Sequence, residues 1–179
     1  MDDGFFLRSF GRGNDVILPD LLKREMAPGE IEKMADEKEE MFRLEIRGKI
    51  KAFPGVVELI KSLHEEGFVL AVGSSAVRDN VMTVAEGIGA AEYFNEIVTG
   101  DDVENAKPAP DIFLKCSEKC KVPPSESWVI EDSVFGIDAA ASAGMRSVAV
   151  TNTRPASEFS KADIVVDTLE KLSASDFLK

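Results

Sequence analysis

An apolar run that ends abruptly on two adjacent carboxylates constrains this chain more than any other stretch. Trp128-Val-Ile-Glu131-Asp132-Ser133-Val134-Phe135-Gly136 leads straight into an Ala-rich helical pattern from Ile137 to Gly144. Three apolar residues before Glu-Asp predict a buried strand that delivers charge to one end of a sheet. In open α/β sheets, ligands gather at the carboxyl ends of the strands. Two carboxylates there suit a hard divalent cation such as Mg²⁺, which takes oxygen ligands and keeps several waters. The competing reading is that Asp132 or Ser133 caps the following helix.

The rest of the chain repeats the alternation. Residues 68–72 are a near-continuous apolar run, the form of a strand covered on both faces. Further strands are expected at 96–99, 127–130, 147–150 and 163–166, with helices at 56–66, 77–86, 110–121 and 136–143 between them. Val57, Ile60 and Leu63 should face inward from the first of these helices. Such alternation implies βαβ units and a mostly parallel sheet, hence an α/β doubly wound fold. Residues 1 to about 50 read differently. Phe5, Phe6, Leu7 and Phe10 are apolar enough to require packing, and residues 11–15 form a turn with Asp15 placed to cap a helix through about Lys23. Ala27-Pro28-Gly29 breaks that helix, and a long charged helix follows to about Arg47, with Ile31, Met34, Met41, Leu44 and Ile46 apolar. The division is a small helical unit, 1–50, and an α/β core, 51–179.

Composition narrows the partners. With a net charge of −12 over 179 residues, nucleic acid and anionic membrane are poor partners. Only one histidine, His64, is present, on a helix surface by its position. This removes four-ligand zinc patterns and leaves triad chemistry without its usual base. Cys116 and Cys120 share a helix face, compatible with packing or redox work. No apolar run approaches ~18 residues and no signal peptide is visible, so a soluble cytoplasmic protein is expected.

Two further strand ends carry chemistry. The 68–72 run leads into Gly73-Ser74-Ser75 just before a helix, where free backbone N–H groups and a hydroxyl could hold phosphate; an ordinary Ser N-cap is the alternative. The 96–99 strand leads into Gly100-Asp101-Asp102 and then Lys107-Pro108-Ala109-Pro110-Asp111. A lysine ahead of a helix start is electrostatically unfavourable unless an anion lies between them; a solvated surface lysine is the alternative. If the three turns share one sheet edge, Ser74, Ser75 and Lys107 hold phosphoryl oxygens while Asp132 and Glu131 hold Mg²⁺.

These motifs resemble the haloacid dehalogenase superfamily, in its phosphatase and β-phosphoglucomutase-like branch. The resemblance is sharpest at Val72-Gly-Ser-Ser-Ala76, Ala106-Lys-Pro-Ala-Pro-Asp-Ile-Phe113 and Ile130-Glu-Asp-Ser-Val-Phe-Gly-Ile-Asp-Ala-Ala140, with Ala143-Gly-Met145. It implies a Rossmann-like core with a helical cap, of which residues 1–50 resemble a part. It further implies phosphate binding by Ser74, steadying of phosphate and nucleophile by Lys107, and Mg²⁺ binding by the Glu131-Asp132 pair, Asp132 more directly. The family's first motif, a central strand ending in Asp-x-Asp-Gly with a nucleophilic Asp, has no counterpart; Met1-Asp2-Asp3-Gly4 puts Met1 at the nucleophile. Either the flanking strands pair directly, or Phe5-Phe6-Leu7 fills in, or the protein begins upstream of Met1, the reading favoured here. The expected function is Mg²⁺-dependent hydrolysis of a small phosphorylated metabolite, with this chain truncated and inactive. Alternatives are a β-phosphoglucomutase-like mutase, a non-catalytic phosphate- or metal-binding protein, and a partner-dependent fragment. Arg12 and Asn14 fall in a loop that could face substrate or simply turn.

Overall fold

The structure, a computed structural model, describes residues 14–178. Expectations for Phe5, Phe6, Leu7 and Phe10, for Arg12 in its turn, and for the Asp15 side chain lie outside what is described. Contacts divide the chain into two units, Met1–Lys49 and Ile50–Lys179.

Among the described residues the first unit holds two helices, α1 (Asn14–Leu22) and α2 (Pro28–Ile46). Pro28 opens α2 at a position where its missing N–H costs nothing. Asn14 is the first residue of α1, and its Nδ2 donates to Glu39 Oε1 of α2 at 3.0 Å. Of the apolar positions of α2, Met41, Phe42 and Leu44 stay exposed.

The second unit is the α/β core. Its strands are β1 (Ala71–Gly73), β2 (Glu96–Val98), β3 (Trp128–Glu131), β4 (Arg146–Val150) and β5 (Ile164–Val166). Among the described residues all pairings are parallel, and they make two sheets: β1–β2, and β3–β4–β5. Strand β1 is shorter than the apolar run suggests because the Asn95 side chain takes the Leu70 N–H at 2.9 Å. The regular ladder therefore starts at Ala71, three residues after the apolar run begins.

Four helices cover the strands: α3 (Val56–Glu65), α4 (Arg78–Gly87), α5 (Asp111–Cys120) and α6 (Val134–Ser142). Side chains alternate across a strand, and the core follows that rule. Val148 and Val150 pack with Leu59 and Leu63 of α3, whereas Ala149 packs with Ile137 of α6. On β1, Leu70 joins the α3 cluster, while a side chain on Gly73 would meet Phe113 and Cys116 of α5 at 3.2 Å. Helix α3 thus lies on one face and α5 and α6 on the other, the doubly wound arrangement. The inward stripe of α3 runs through Leu59 and Leu63, with Val57 and Ile60 only half-buried. This i, i+4 pair corrects the expected Val57, Ile60, Leu63 set.

Gly55, which starts α3, has φ 81°, and a Cβ there would lie 2.3 Å from Glu170 N and 2.6 Å from Leu169 C. Both neighbours are backbone and cannot swing aside. Gly55→Ala is expected to cost roughly 2 kcal/mol from left-handed strain and overpacking. Urea denaturation checks this; an unchanged midpoint would refute it.

Candidate phosphate and metal site

The carboxyl ends of β1 and β3 meet at one ammonium group. Lys107 Nζ donates to Gly73 O at 3.1 Å and forms a close ion pair with Glu131 Oε1. It also sits 4.7 Å from the centre of the Phe113 ring, where a cation is attracted to the π face. The Lys107 and Glu131 side chains are only 10% and 12% exposed, so the solvated-lysine reading fails. The anion needed between Lys107 and the start of α5 is supplied by the chain itself, as Glu131.

Glu131 is saturated. Its Oε2 accepts from Asp132 N at 3.0 Å, Ser133 N at 3.1 Å and Ser133 Oγ at 3.0 Å. Ser133 is also the N-cap of α6, its Oγ accepting from Gly136 N at 2.9 Å. The cap is therefore Ser133, and Asp132 is left free of that duty. This explains why α6 begins at Val134, before the expected 136. Gly136 is buried against the Glu131 carboxylate: a Cβ there would lie 2.1 Å from Glu131 Cδ.

Asp132 carries the uncommitted carboxylate. Its backbone carbonyl accepts a hydrogen bond from Thr153 Oγ1, which anchors the turn. Burial, and then the charge of Glu131, push the Asp132 carboxyl above the usual carboxylate range, while its own backbone amide and Lys107 pull it back. The Glu131 and Asp132 carboxylates and the Lys107 ammonium together leave a formal negative charge that a cation would balance. Among the described residues no three His, Cys, Asp or Glu side chains gather as a ligand set. One or two carboxylates, the rest oxygen from water and phosphate, fit Mg²⁺ rather than zinc.

Ser74 follows Gly73 directly. Its N–H pairs with Val98 O at 3.0 Å and its Oγ accepts from Ala76 N at 3.2 Å. Helix α4 is flanked by Val77 with no side-chain cap, so Ser74 is not an ordinary N-cap. Its hydroxyl proton is free to turn toward an incoming oxygen. Ser75 is exposed, and its carbonyl lies 2.9 Å from where a Cβ on Gly100 would sit, so Gly100 lets the end of β2 close on this turn. Asp102 is held well below the usual carboxylate range by the Thr99 backbone N–H, then by the Thr99 hydroxyl, and also binds Arg78 Nη2 at 3.1 Å. It is committed to the turn.

Ser74, Lys107, Glu131 and Asp132 thus share one end of the parallel strands, with Ser75 beside them. Sequence reasoning had Ser133 as a candidate helix cap but not as a donor to Glu131, and it missed Gly136, Phe113 and Thr153. The Ser-x-x-Gly spacing after Glu-Asp was the visible signal for Gly136.

Residues 3–150 match the haloacid dehalogenase-like hydrolase family. A fructose-1-phosphate phosphatase of Escherichia coli is 36% identical over 117 residues, 65% of this chain and 61% of that protein. A chloroplastic 5-amino-6-(5-phospho-D-ribitylamino)uracil phosphatase of Arabidopsis thaliana is 29% identical over 176 residues, 98% of this chain and 47% of that protein. The chain therefore spans about half to three-fifths of these two relatives. The crystal structure of a β-phosphoglucomutase from Clostridium difficile superposes with a TM-score of 0.87 at 27% identity, covering 99% of this chain and 81% of that one. With the family match spanning all five motif-bearing site residues, the chain belongs to the haloacid dehalogenase-like hydrolases.

Proposed function

We propose that this chain carries the phosphate- and Mg²⁺-binding half of a phosphomonoester hydrolase that acts on a small phosphorylated metabolite. The observation that carries the reading is the state of Lys107. Its ammonium has three N–H groups; Gly73 O and Glu131 take two, leaving one open, with Asp132 near enough to feel the charge. A buried cation with one open donor, a turning Ser74 hydroxyl and an acidic neighbour accept a phosphoryl group with its metal.

In this scheme Lys107 and Ser74 hold phosphoryl oxygens, Ser75 adds a donor from the turn, and Asp132 holds Mg²⁺. Glu131 acts through Lys107 as a positioning residue. Mg²⁺ bound there supplies charge neutralisation for the phosphoryl oxygens. None of these residues is a nucleophile for phosphorus: Glu131 is saturated, and Asp132 is assigned to the metal. No Asp-x-Asp-Gly occurs in the 179 residues, so this chain on its own binds phosphate and Mg²⁺ without turnover. The two phosphatase relatives support hydrolysis. The β-phosphoglucomutase likeness supports a mutase as the second reading, which glucose 1-phosphate isomerisation would reveal.

Calorimetric titration of Mg²⁺ in the presence of inorganic phosphate tests the site. Asp132→Asn is expected to weaken Mg²⁺ binding about tenfold or more, a loss near 1.4 kcal/mol. Because the Asp132 pKa is raised, protons compete early: Mg²⁺ affinity falls as pH drops, from a higher pH than an ordinary aspartate would show. The same shift makes ionised Asp132 a cost to the folded, metal-free chain, present above its folded pKa. Asp132→Asn should therefore raise the metal-free melting temperature at neutral pH while binding is lost. Unchanged Mg²⁺ affinity in Asp132→Asn would overturn the metal assignment. Phosphate release from p-nitrophenyl phosphate by the purified chain would overturn the absence of turnover.

A further inference from the structure

We propose that Thr153, on the loop after β4, is a positioning residue for Mg²⁺ binding: its hydroxyl holds the Asp132 peptide, so the Asp132 carboxylate is ordered before any metal binds. The inference rests on the assignment of Asp132 to Mg²⁺ and adds a residue outside the set of Ser74, Lys107 and Glu131. Thr153 Oγ1 donates to the backbone carbonyl of Asp132, 21 residues earlier in the chain. That bond joins the carboxyl end of β4 to the carboxyl end of β3.

The backbone around Asp132 is pinned at three successive groups. Its N–H donates to Glu131 Oε2 at 3.0 Å, and the next N–H, of Ser133, donates to the same oxygen at 3.1 Å. Both bonds end on the neighbouring side chain and close a local ring. The carbonyl between them is held from another strand end, by Thr153. With all three in place, neither peptide group flanking the Asp132 Cα is free to turn. Fixing a residue's backbone costs conformational entropy. Where the fold has already fixed it, that cost no longer falls on binding, and affinity rises. Loss of the Thr153 donor returns part of the cost to the binding step.

The loop that carries Thr153 is itself anchored on both sides. Thr151 N donates to Val166 O at 2.9 Å, which ties the start of the loop to β5. Further on, Phe159 is 2% exposed and packs with Ile137 of α6 and Ala149 of β4. These contacts do not involve the Thr153 hydroxyl, so its removal leaves the loop in place. Thr153 is exposed, and core packing therefore does not account for it. A threonine that only closed its own loop would bond within residues 151–155; this one reaches the Glu131-Asp132 turn instead.

The test uses the full 179-residue chain, with MgCl₂ titrated calorimetrically in excess inorganic phosphate. Asp132→Asn is the reference for a lost ligand. Thr153→Val keeps the branched shape and loses the donor. It should weaken Mg²⁺ binding about fivefold, the equivalent of one net hydrogen bond, while inorganic phosphate without Mg²⁺ binds as before. Thr153→Ser restores the donor and should return the affinity to within about twofold of wild type, the missing methyl loosening χ1. A second readout needs no metal. The carbonyl carbon of Asp132, detected by NMR through the Ser133 amide, should move upfield in Thr153→Val and return in Thr153→Ser. Asn152→Ala, at the exposed neighbour, should change neither readout. Wild-type Mg²⁺ affinity in Thr153→Val, an unmoved Asp132 carbonyl signal, no recovery in Thr153→Ser, or an equal loss in Asn152→Ala each sinks the inference and leaves the metal assignment intact. Asp132→Asn that binds Mg²⁺ as tightly as wild type removes the metal assignment, and this inference with it.

Discussion

Lys107→Met should cost about 3 kcal/mol of stability, the lower end of what breaking a buried ion pair usually costs. The pair is buried, at 10% and 12% side-chain exposure, so solvent cannot take over the role of the lost ammonium. The lower end is chosen because Glu131 keeps three donors on Oε2, from Asp132 N, Ser133 N and Ser133 Oγ. These hold part of its charge after the ammonium is gone. Methionine matches the length of the lysine stem and retains contact with Phe113, so packing loss is small. Adding Glu131→Gln removes the stranded charge and should restore roughly half of the loss. Urea denaturation of the wild type, both single variants and the double variant gives the coupling energy directly. A coupling below about 0.5 kcal/mol would mean that the pair behaves like a surface bridge. Binding of inorganic phosphate, followed by phosphorus NMR, should be lost in Lys107→Met and remain lost in the double variant. That separates the structural role of the ammonium from its open third donor.

Much of this site could be read from the residue order, and what could not be read has a physical cause. Apolar runs before Gly-Ser-Ser and Glu-Asp placed two strand ends correctly, because a strand covered on both faces leaves an unbroken hydrophobic signature. Lys107 stood out because it precedes a helix start, where a cation needs a nearby anion. Which anion could not be read: Glu131 lies 24 residues away, and only the fold brings the two together. The sequence pattern therefore gave Glu131 to the metal, and the geometry gives both of its oxygens to protein donors. Element edges were off by two or three residues where a side chain took over a backbone group, as Asn95 does at Leu70 and Ser133 does at Gly136. The split into two sheets follows from strand pairing over long separations, which alternating hydrophobicity does not encode. The Phe5-Phe6-Leu7 segment lies outside the described residues.

Gly136→Ala should reverse the usual sign of a glycine-to-alanine change in a helix. In an exposed helix interior that change stabilises by about 0.8–1 kcal/mol. Here the new Cβ would lie 2.1 Å from Glu131 Cδ and 2.2 Å from Glu131 Oε1. A free glutamate could swing clear at little cost, because the collision is with the end of a flexible side chain. Glu131 is not free: Lys107 holds one oxygen and three donors hold the other. Moving the carboxylate breaks the ion pair and the Ser133 contacts together, so the expected loss is about 2–3 kcal/mol, within the range for overpacking a tight site. Phosphate binding should weaken with it, since Lys107 loses its positioning partner. The decisive comparison is Gly136→Ala placed in a Glu131→Ala background. With the carboxylate gone the Cβ has space, and the alanine should recover its helical preference and stabilise by up to about 1 kcal/mol. If alanine at 136 destabilises equally in both backgrounds, the obstacle is elsewhere in α6, and the glycine is not there to make room for the Glu131–Lys107 pair.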